Sequence, residues 1–158
     1  MSWSERIRDT SAFGGIPLGM LITLFSLAVG NLVLFYQLSG ALALNYGIAA
    51  IIRTVKFEKR PDNTPAGKSW LSRIDASSFP SLHAARIFSF VIILGIYFSS
   101  TYLYALLIPT AVLVCYLRIC LKRHYLQDII AGATLGILVG IFATKYAVLI
   151  AQFLGLPV

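Results

Sequence analysis

Three polar residues stand at fixed spacing between two apolar segments: Arg118, then His124 after five residues, then Asp128 after three more. If a helix begins a turn before Asp128, His124 and Asp128 stand at i and i+4, and the carboxylate can accept a hydrogen bond from one imidazole nitrogen. Such a bond fixes the tautomer and leaves the other nitrogen basic, which prepares a nucleophile or a general base. Taken alone, the same pair could be a surface contact in which Asp128 only caps the helix.

A second polar signal precedes another apolar segment, in the stretch FPSLHAAR. Ser81 follows Pro80 and is a good helix N-cap, so the residues from Leu82 onward would present free backbone N–H groups to an anion. His83 would then stand in the first turn of that helix. A Pro-Ser pair before a helix is also an ordinary cap with no further function.

The third signal is the segment RTVKFEKRP, in which Arg53 is followed after six residues by Arg60 and Pro61. By itself it could consist of basic side chains that snorkel at a helix end. Arginine also has a planar fork of donors that suits phosphate oxygens. The segment therefore leaves both interpretations open.

The elements that must position these residues are membrane helices. The 158 residues are 58% hydrophobic and 12% charged, with a mean hydropathy of +0.83, which is too apolar for an ordinary soluble domain. No charged side chain occurs in residues 11–52, 87–117 or 129–144, and a span needs about 20 apolar residues. We predict an all-α bundle of five spans, near residues 15–36, 39–56, 82–99, 102–120 and 128–154, with turns at QLSG and SSTY.

Alternate threading of five helices brings the three polar signals to one membrane face. Of 13 Lys and Arg, only Lys145 lies away from that face, so the positive-inside rule predicts that the face is cytoplasmic. The net charge of +7 favours contact with anionic lipid headgroups, because no soluble basic patch is present to bind nucleic acid. Arginines and histidines that converge there would repel one another unless an anion lies among them, and we expect that anion to be phosphate.

At this point the sequence resembles the type-2 phosphatidic acid phosphatase superfamily, whose pattern is Lys-x6-Arg-Pro, then Pro-Ser-Gly-His, then Ser-Arg-x5-His-x3-Asp. The spacing within each motif and the order of the motifs match over residues 53–128. Three positions depart from the pattern: Arg53 stands in place of Lys, Leu82 in place of Gly, and Leu117 in place of Ser.

The resemblance implies a role for each matching residue. His124 would attack phosphorus and form a phosphohistidine, Asp128 would orient His124, and His83 would protonate the leaving oxygen. The phosphoryl oxygens would be held by side chains and backbone amides of the residues Arg53, Arg60, Ser81, Leu82 and Arg118. The reaction needs no metal or other cofactor, and the sequence contains no cluster of carboxylates that could hold two metal ions.

We therefore expect one membrane-embedded domain over residues 1–158, without a large headgroup-binding module. We expect it to lie in the cell membrane and to remove phosphate from a bilayer lipid. Polyprenyl diphosphate is the first choice of substrate, and phosphatidic acid or phosphatidylglycerophosphate is the alternative. A protein of a different class, a non-catalytic lipid-binding or transport protein, would retain the anion site without turnover. The sequence does not indicate the oligomeric state. The first ten residues, MSWSERIRDT, are polar. The apolar run after them is too long for a signal-peptide core and is followed by no small-residue cleavage site, so no targeting segment is expected to be removed.

Two further features of the helices can be interpreted. Gly132, Gly136 and Gly140 recur every four residues and form a smooth stripe for close contact with another helix of the same chain. Arg86, one turn after His83, could add to the phosphate site or snorkel toward lipid headgroups, and snorkelling is the expectation.

Overall fold

The chain is an all-helical bundle, as predicted. The computed structural model describes residues 15–62 and 69–158, and in those ranges it contains six α-helices and no strand. The prediction about the first ten residues lies outside the described residues. The helices are α1 (Ile16–Ala28), α2 (Leu32–Val55), α3 (Trp70–Ala76), α4 (Leu82–Phe98), α5 (Thr101–Cys120) and α6 (Leu126–Phe153).

Five of these helices are apolar, which agrees with the predicted number of spans. Helices α2, α5 and α6 are long and apolar enough to cross a membrane by themselves. Helices α1 and α4 are apolar but shorter, with 13 and 17 residues. The short helix α3 lies in the polar segment between α2 and α4, where no helix was predicted.

The turn between α1 and α2 lies earlier than predicted, at Val29–Asn31 rather than at QLSG. Gly30 adopts a positive φ of 75°, which glycine tolerates without a side-chain penalty. The side chain of Asn31 then caps α2 by accepting a hydrogen bond from the Leu34 amide at 3.1 Å. The QLSG residues are helical instead, because the Gln37 side chain donates to the carbonyl of Thr144 on α6 at 3.3 Å and is buried there.

Helices α4 and α6 are in close contact along the predicted glycine stripe. A Cβ atom at Gly132 would lie 2.3 Å from the carbonyl oxygen of Ser81, and one at Gly136 would lie 2.1 Å from that of Ala85. These distances leave no room for a side chain, so the glycines allow the two helix backbones to touch. The interpretation of the stripe as packing within one chain is confirmed.

Replacing Gly136 by alanine should therefore destabilise the bundle by about 3 kcal/mol, because a methyl group would force α4 and α6 apart. Thermal unfolding in detergent would measure the loss. The matched control is Gly47→Ala on α2, where a Cβ would meet nothing within 4 Å. Equal melting temperatures for the two variants would contradict the prediction.

The ends of the helices bring the polar signals together at one end of the bundle. Helix α2 ends and α4 begins there, α5 ends there, and α6 begins there. The start of α1 also lies at this end, because Ile16 lines the same cavity as His83 and His124. The bundle thus positions the candidate site at the ends of its helices rather than in its apolar core.

Candidate active site

A cavity of about 80 Å³ lies at this end of the bundle, several times the space of about 10–15 Å³ that one water needs. It is lined by residues of the helices α1 to α5 and of the segments that follow α2 and α5. The lining residues are Ile16, Tyr46, Arg53, Arg60, Asp75, Leu82, His83, Arg86, Arg118 and His124. We call this space the site cavity.

His124 and Asp128 form a buried pair beside the site cavity, with exposed fractions of 3% and 0%. His124 Nδ1 lies 3.6 Å from Asp128 Oδ2, slightly beyond hydrogen-bond distance. The sequence predicts that the helix begins a turn before Asp128, but α6 begins at Leu126, only two residues before it. His124 therefore lies outside the helix. Asp128 Oδ2 accepts the amide of Tyr125 at 2.8 Å. The carboxylate therefore both caps α6 and faces Nδ1, which leaves Nε2 as the nitrogen for chemistry.

The start of α4 has the predicted cap. Ser81 Oγ accepts the amide of Ala84 at 3.5 Å, so Ser81 is the N-cap residue of the helix. The Ser81 amide donates to the backbone carbonyl of Asp128 at 3.0 Å. This bond joins the segment that contains His83 to the segment that contains His124.

The arginines of the site cavity differ in how their donors are used. Arg53 is 4% exposed, and its Nη1 and Nη2 donate to the carbonyls of Ile74 at 3.1 Å and Pro80 at 2.8 Å. Arg60 donates from Nη2 to the carbonyl of Asp75. The Nε atoms of all three, Arg53, Arg60 and Arg118, are buried without a hydrogen-bond partner among the described residues. Both terminal nitrogens of Arg53 thus support the walls of the site, whereas Arg60 and Arg118 have more of their donors to offer an anion.

The electrostatics of the site cavity favour an anion. Four arginines line it, against one carboxylate, that of Asp75. Burial lowers the pKa of His124, and the positive charges of Arg118 and Arg60 lower it further, against the opposing effect of Asp128. Burial also lowers the pKa of Arg60. His124 is therefore neutral at pH 7, in the form that has a free lone pair.

The structure brings most of the sequence-predicted site residues to one place. Six of them line the site cavity, namely Arg53, Arg60, Leu82, His83, Arg118 and His124. Ser81 and Asp128 are fully buried and lie outside this lining. Their contacts are with the backbone and with His124, so in this structure they support the wall of the cavity.

Three polar lining residues were not among the predicted site residues, namely Tyr46, Asp75 and Arg86. The prediction that Arg86 snorkels to headgroups is wrong, because its side chain is only 3% exposed and donates to the Tyr46 hydroxyl. Its position three residues after His83 was a signal, since i and i+3 share a helix face. Tyr46 carried no comparable signal, because its place depends on how α2 is rotated in the bundle.

An apolar bundle with an arginine-lined cavity at one end defines an integral-membrane protein with a site for an anionic group. The chain belongs to the PAP2 superfamily, which its residues 34–150 match. Comparison with curated proteins finds no match. The crystal structure of LpxE from Aquifex aeolicus is similar in fold, with a TM-score of 0.75 and 22% sequence identity over 90% of this chain and 86% of that chain. Family and fold together support a membrane lipid phosphatase, which is a hydrolase.

Proposed function

We propose that the protein hydrolyses polyprenyl diphosphate to the monophosphate through a phosphohistidine at His124. The observation that carries the proposal is that His83 and His124 line one cavity together with Arg60 and Arg118. One histidine can then attack phosphorus while the other protonates the oxygen that leaves. The arginines neutralise the charge that develops on the phosphoryl oxygens.

The reaction has two steps. In the first, the lone pair of His124 Nε2 forms a bond to the terminal phosphorus, the bridging P–O bond breaks, and its electron pair stays on the bridging oxygen. His83, which holds a proton while the negative charge of the bound substrate offsets that of the arginines, gives this proton to that oxygen and so releases the lipid monophosphate. In the second step, water gives a proton to His83 and attacks the phosphorus, the P–N bond breaks, and orthophosphate leaves. His124 and protonated His83 are thereby restored.

Two of the predicted site residues act indirectly in this proposal. Asp128 faces Nδ1 of His124 at 3.6 Å and favours the tautomer in which Nδ1 carries the proton. Arg53 holds the carbonyl of Pro80, and with it the cap at Ser81 and the start of α4. The backbone amides near Leu82 face an anion from the positive end of that helix.

A small substrate head suits this site. The site cavity of about 80 Å³ can admit phosphate groups but has no space for a large headgroup, and the hydrocarbon chain can remain among apolar helices. Phosphatidic acid and phosphatidylglycerophosphate are the alternative substrates. A second class of function, lipid binding or transport without turnover, is an outcome that the following experiment separates.

The first test is release of phosphate by the purified protein in detergent, with a chelator and no added metal, from a polyprenyl diphosphate and from phosphatidic acid. We expect release that survives the chelator and is faster from the diphosphate. Faster release from phosphatidic acid would make that lipid the substrate in place of polyprenyl diphosphate. No release from either lipid would overturn the proposed phosphatase activity and favour lipid binding or transport.

A further inference from the structure

Arg86 lies at the boundary between the site cavity and a second, apolar cavity of about 120 Å³. Helices α1, α4 and α5 form this second cavity, which we call the apolar cavity. Of the residues described, Arg86 is the one that lines both spaces. The other lining residues of the apolar cavity include Leu18, Gly19, Ile22, Phe90, Leu94 and Leu107.

The two cavities follow each other along one face of α4. His83, Arg86, Phe90 and Leu94 recur at intervals of three and four residues, which places them on the same face. With a rise of about 1.5 Å per residue, Arg86 lies about 4.5 Å further along the helix than His83, and Leu94 about 16 Å further. A molecule that reaches from the histidines into the apolar cavity must therefore pass the guanidinium of Arg86.

The guanidinium is held in place from two sides. It donates to the Tyr46 hydroxyl on α2, and its carbon lies 5.8 Å from the centre of the Tyr46 ring. Its methylene stem passes α1 at Gly19, where a Cβ would lie 3.3 Å from Arg86 Cδ. A buried, oriented arginine makes strong charge-assisted bonds to phosphate oxygens. The site thus has a fixed cation between its reacting end and its apolar end.

A lipid diphosphate has its chemical groups in the same order: a terminal phosphate, a second phosphate and a hydrocarbon chain. We propose that Arg86, oriented by Tyr46, binds the second phosphate, the one that stays on the lipid, and makes the site selective for lipid diphosphates over lipid monophosphates. The hydrocarbon chain enters the apolar cavity beyond Arg86. When the bridging P–O bond breaks, negative charge grows on the phosphate that leaves with the lipid, and Arg86 stabilises it. This inference rests on the proposed function and adds to it a selectivity for lipid diphosphates.

The test compares two substrates that differ by one phosphate, farnesyl diphosphate and farnesyl monophosphate, on the wild type and on Arg86→Gln. We expect kcat/KM for the diphosphate to fall about 10- to 100-fold in the variant, the usual loss of a bond between charged partners. Release from the monophosphate should change little, because the monophosphate has no second phosphate to bind. Tyr46→Phe should reduce kcat/KM for the diphosphate by a smaller factor. This variant retains the charge of Arg86 and loses only the hydroxyl that orients it.

Two further variants complete the design. Arg73→Gln removes an exposed arginine of α3 and should leave both substrates unaffected. If Arg86→Gln does not fold, Arg86→Lys, which retains the charge, and Tyr46→Phe replace it in the test. Both variants should then lose activity on the diphosphate and not on the monophosphate. Equal losses on both substrates, or no loss on either, would overturn the assignment of Arg86 alone. A wild type that releases no phosphate from either farnesyl substrate or from phosphatidic acid would overturn the proposed function itself.

Discussion

Replacing His124 by alanine should reduce phosphate release from lipid by at least about 10⁴-fold, because the variant lacks the proposed nucleophile and cannot form the proposed covalent intermediate. The remaining cavity would still bind the anion through Arg60 and Arg118. Lipid binding should therefore persist while turnover disappears. That separation is what distinguishes loss of a nucleophile from loss of the fold.

The proposed phosphohistidine can be tested directly. A diphosphate labelled in its terminal phosphate should transfer the label to the wild-type protein within one turnover in rapid-quench experiments, and the protein-bound label should be lost in acid. His124→Ala should carry no label. Gln127→Ala, which changes an exposed neighbour at the start of α6, is the matched control and should be labelled normally. A wild type that turns over without any labelled protein would contradict the covalent mechanism.

Replacing His83 by alanine should slow release from lipid by about 10²- to 10⁴-fold, the usual contribution of a general acid. The loss should depend on the leaving group, since His83 is proposed to protonate the departing oxygen. With p-nitrophenyl phosphate, whose phenolate leaves without a proton, the variant should retain most of the wild-type rate.

Steady-state rates on a lipid phosphate and on p-nitrophenyl phosphate, for wild type and His83→Ala, measure this difference. His83→Gln is a useful companion, because it retains a hydrogen-bond donor near the leaving oxygen but no transferable proton. A loss of the same size on both substrates would contradict the acid role and would indicate that His83 binds the phosphoryl group instead.

Much of the helix pattern could be predicted because its boundaries have local chemical causes. Ser81 and Ser100 cap α4 and α5 through bonds to the amides of Ala84 and Leu103, and both helices begin within one residue of the predicted position. The turn at QLSG was wrong for a tertiary reason. Gln37 bonds to α6 across the bundle, and nothing in the local sequence indicates that partner.

The candidate site was predictable to the extent that it depends on spacing along the chain. Fixed intervals in the sequence indicated His83, His124, Arg53, Arg60 and Arg118 as site residues, and their segments do meet around the site cavity. The pairing of Tyr46 with Arg86 could not be predicted, because it depends on the rotation of α2 against α4. A helix that is apolar on most of its circumference contains little information about that rotation.

The bond between the Ser81 amide and the Asp128 carbonyl, 3.0 Å long, has a consequence for how this chain can vary. It uses main-chain atoms only, and the glycine contacts between α4 and α6 beside it also involve backbone. The distance between the two histidines is therefore largely independent of which side chains surround them. Substitutions such as Leu82 and Leu117, where the family pattern has Gly and Ser, can accumulate without changing that distance. Sequence drift can then alter the walls of the site cavity while the two histidines keep their separation.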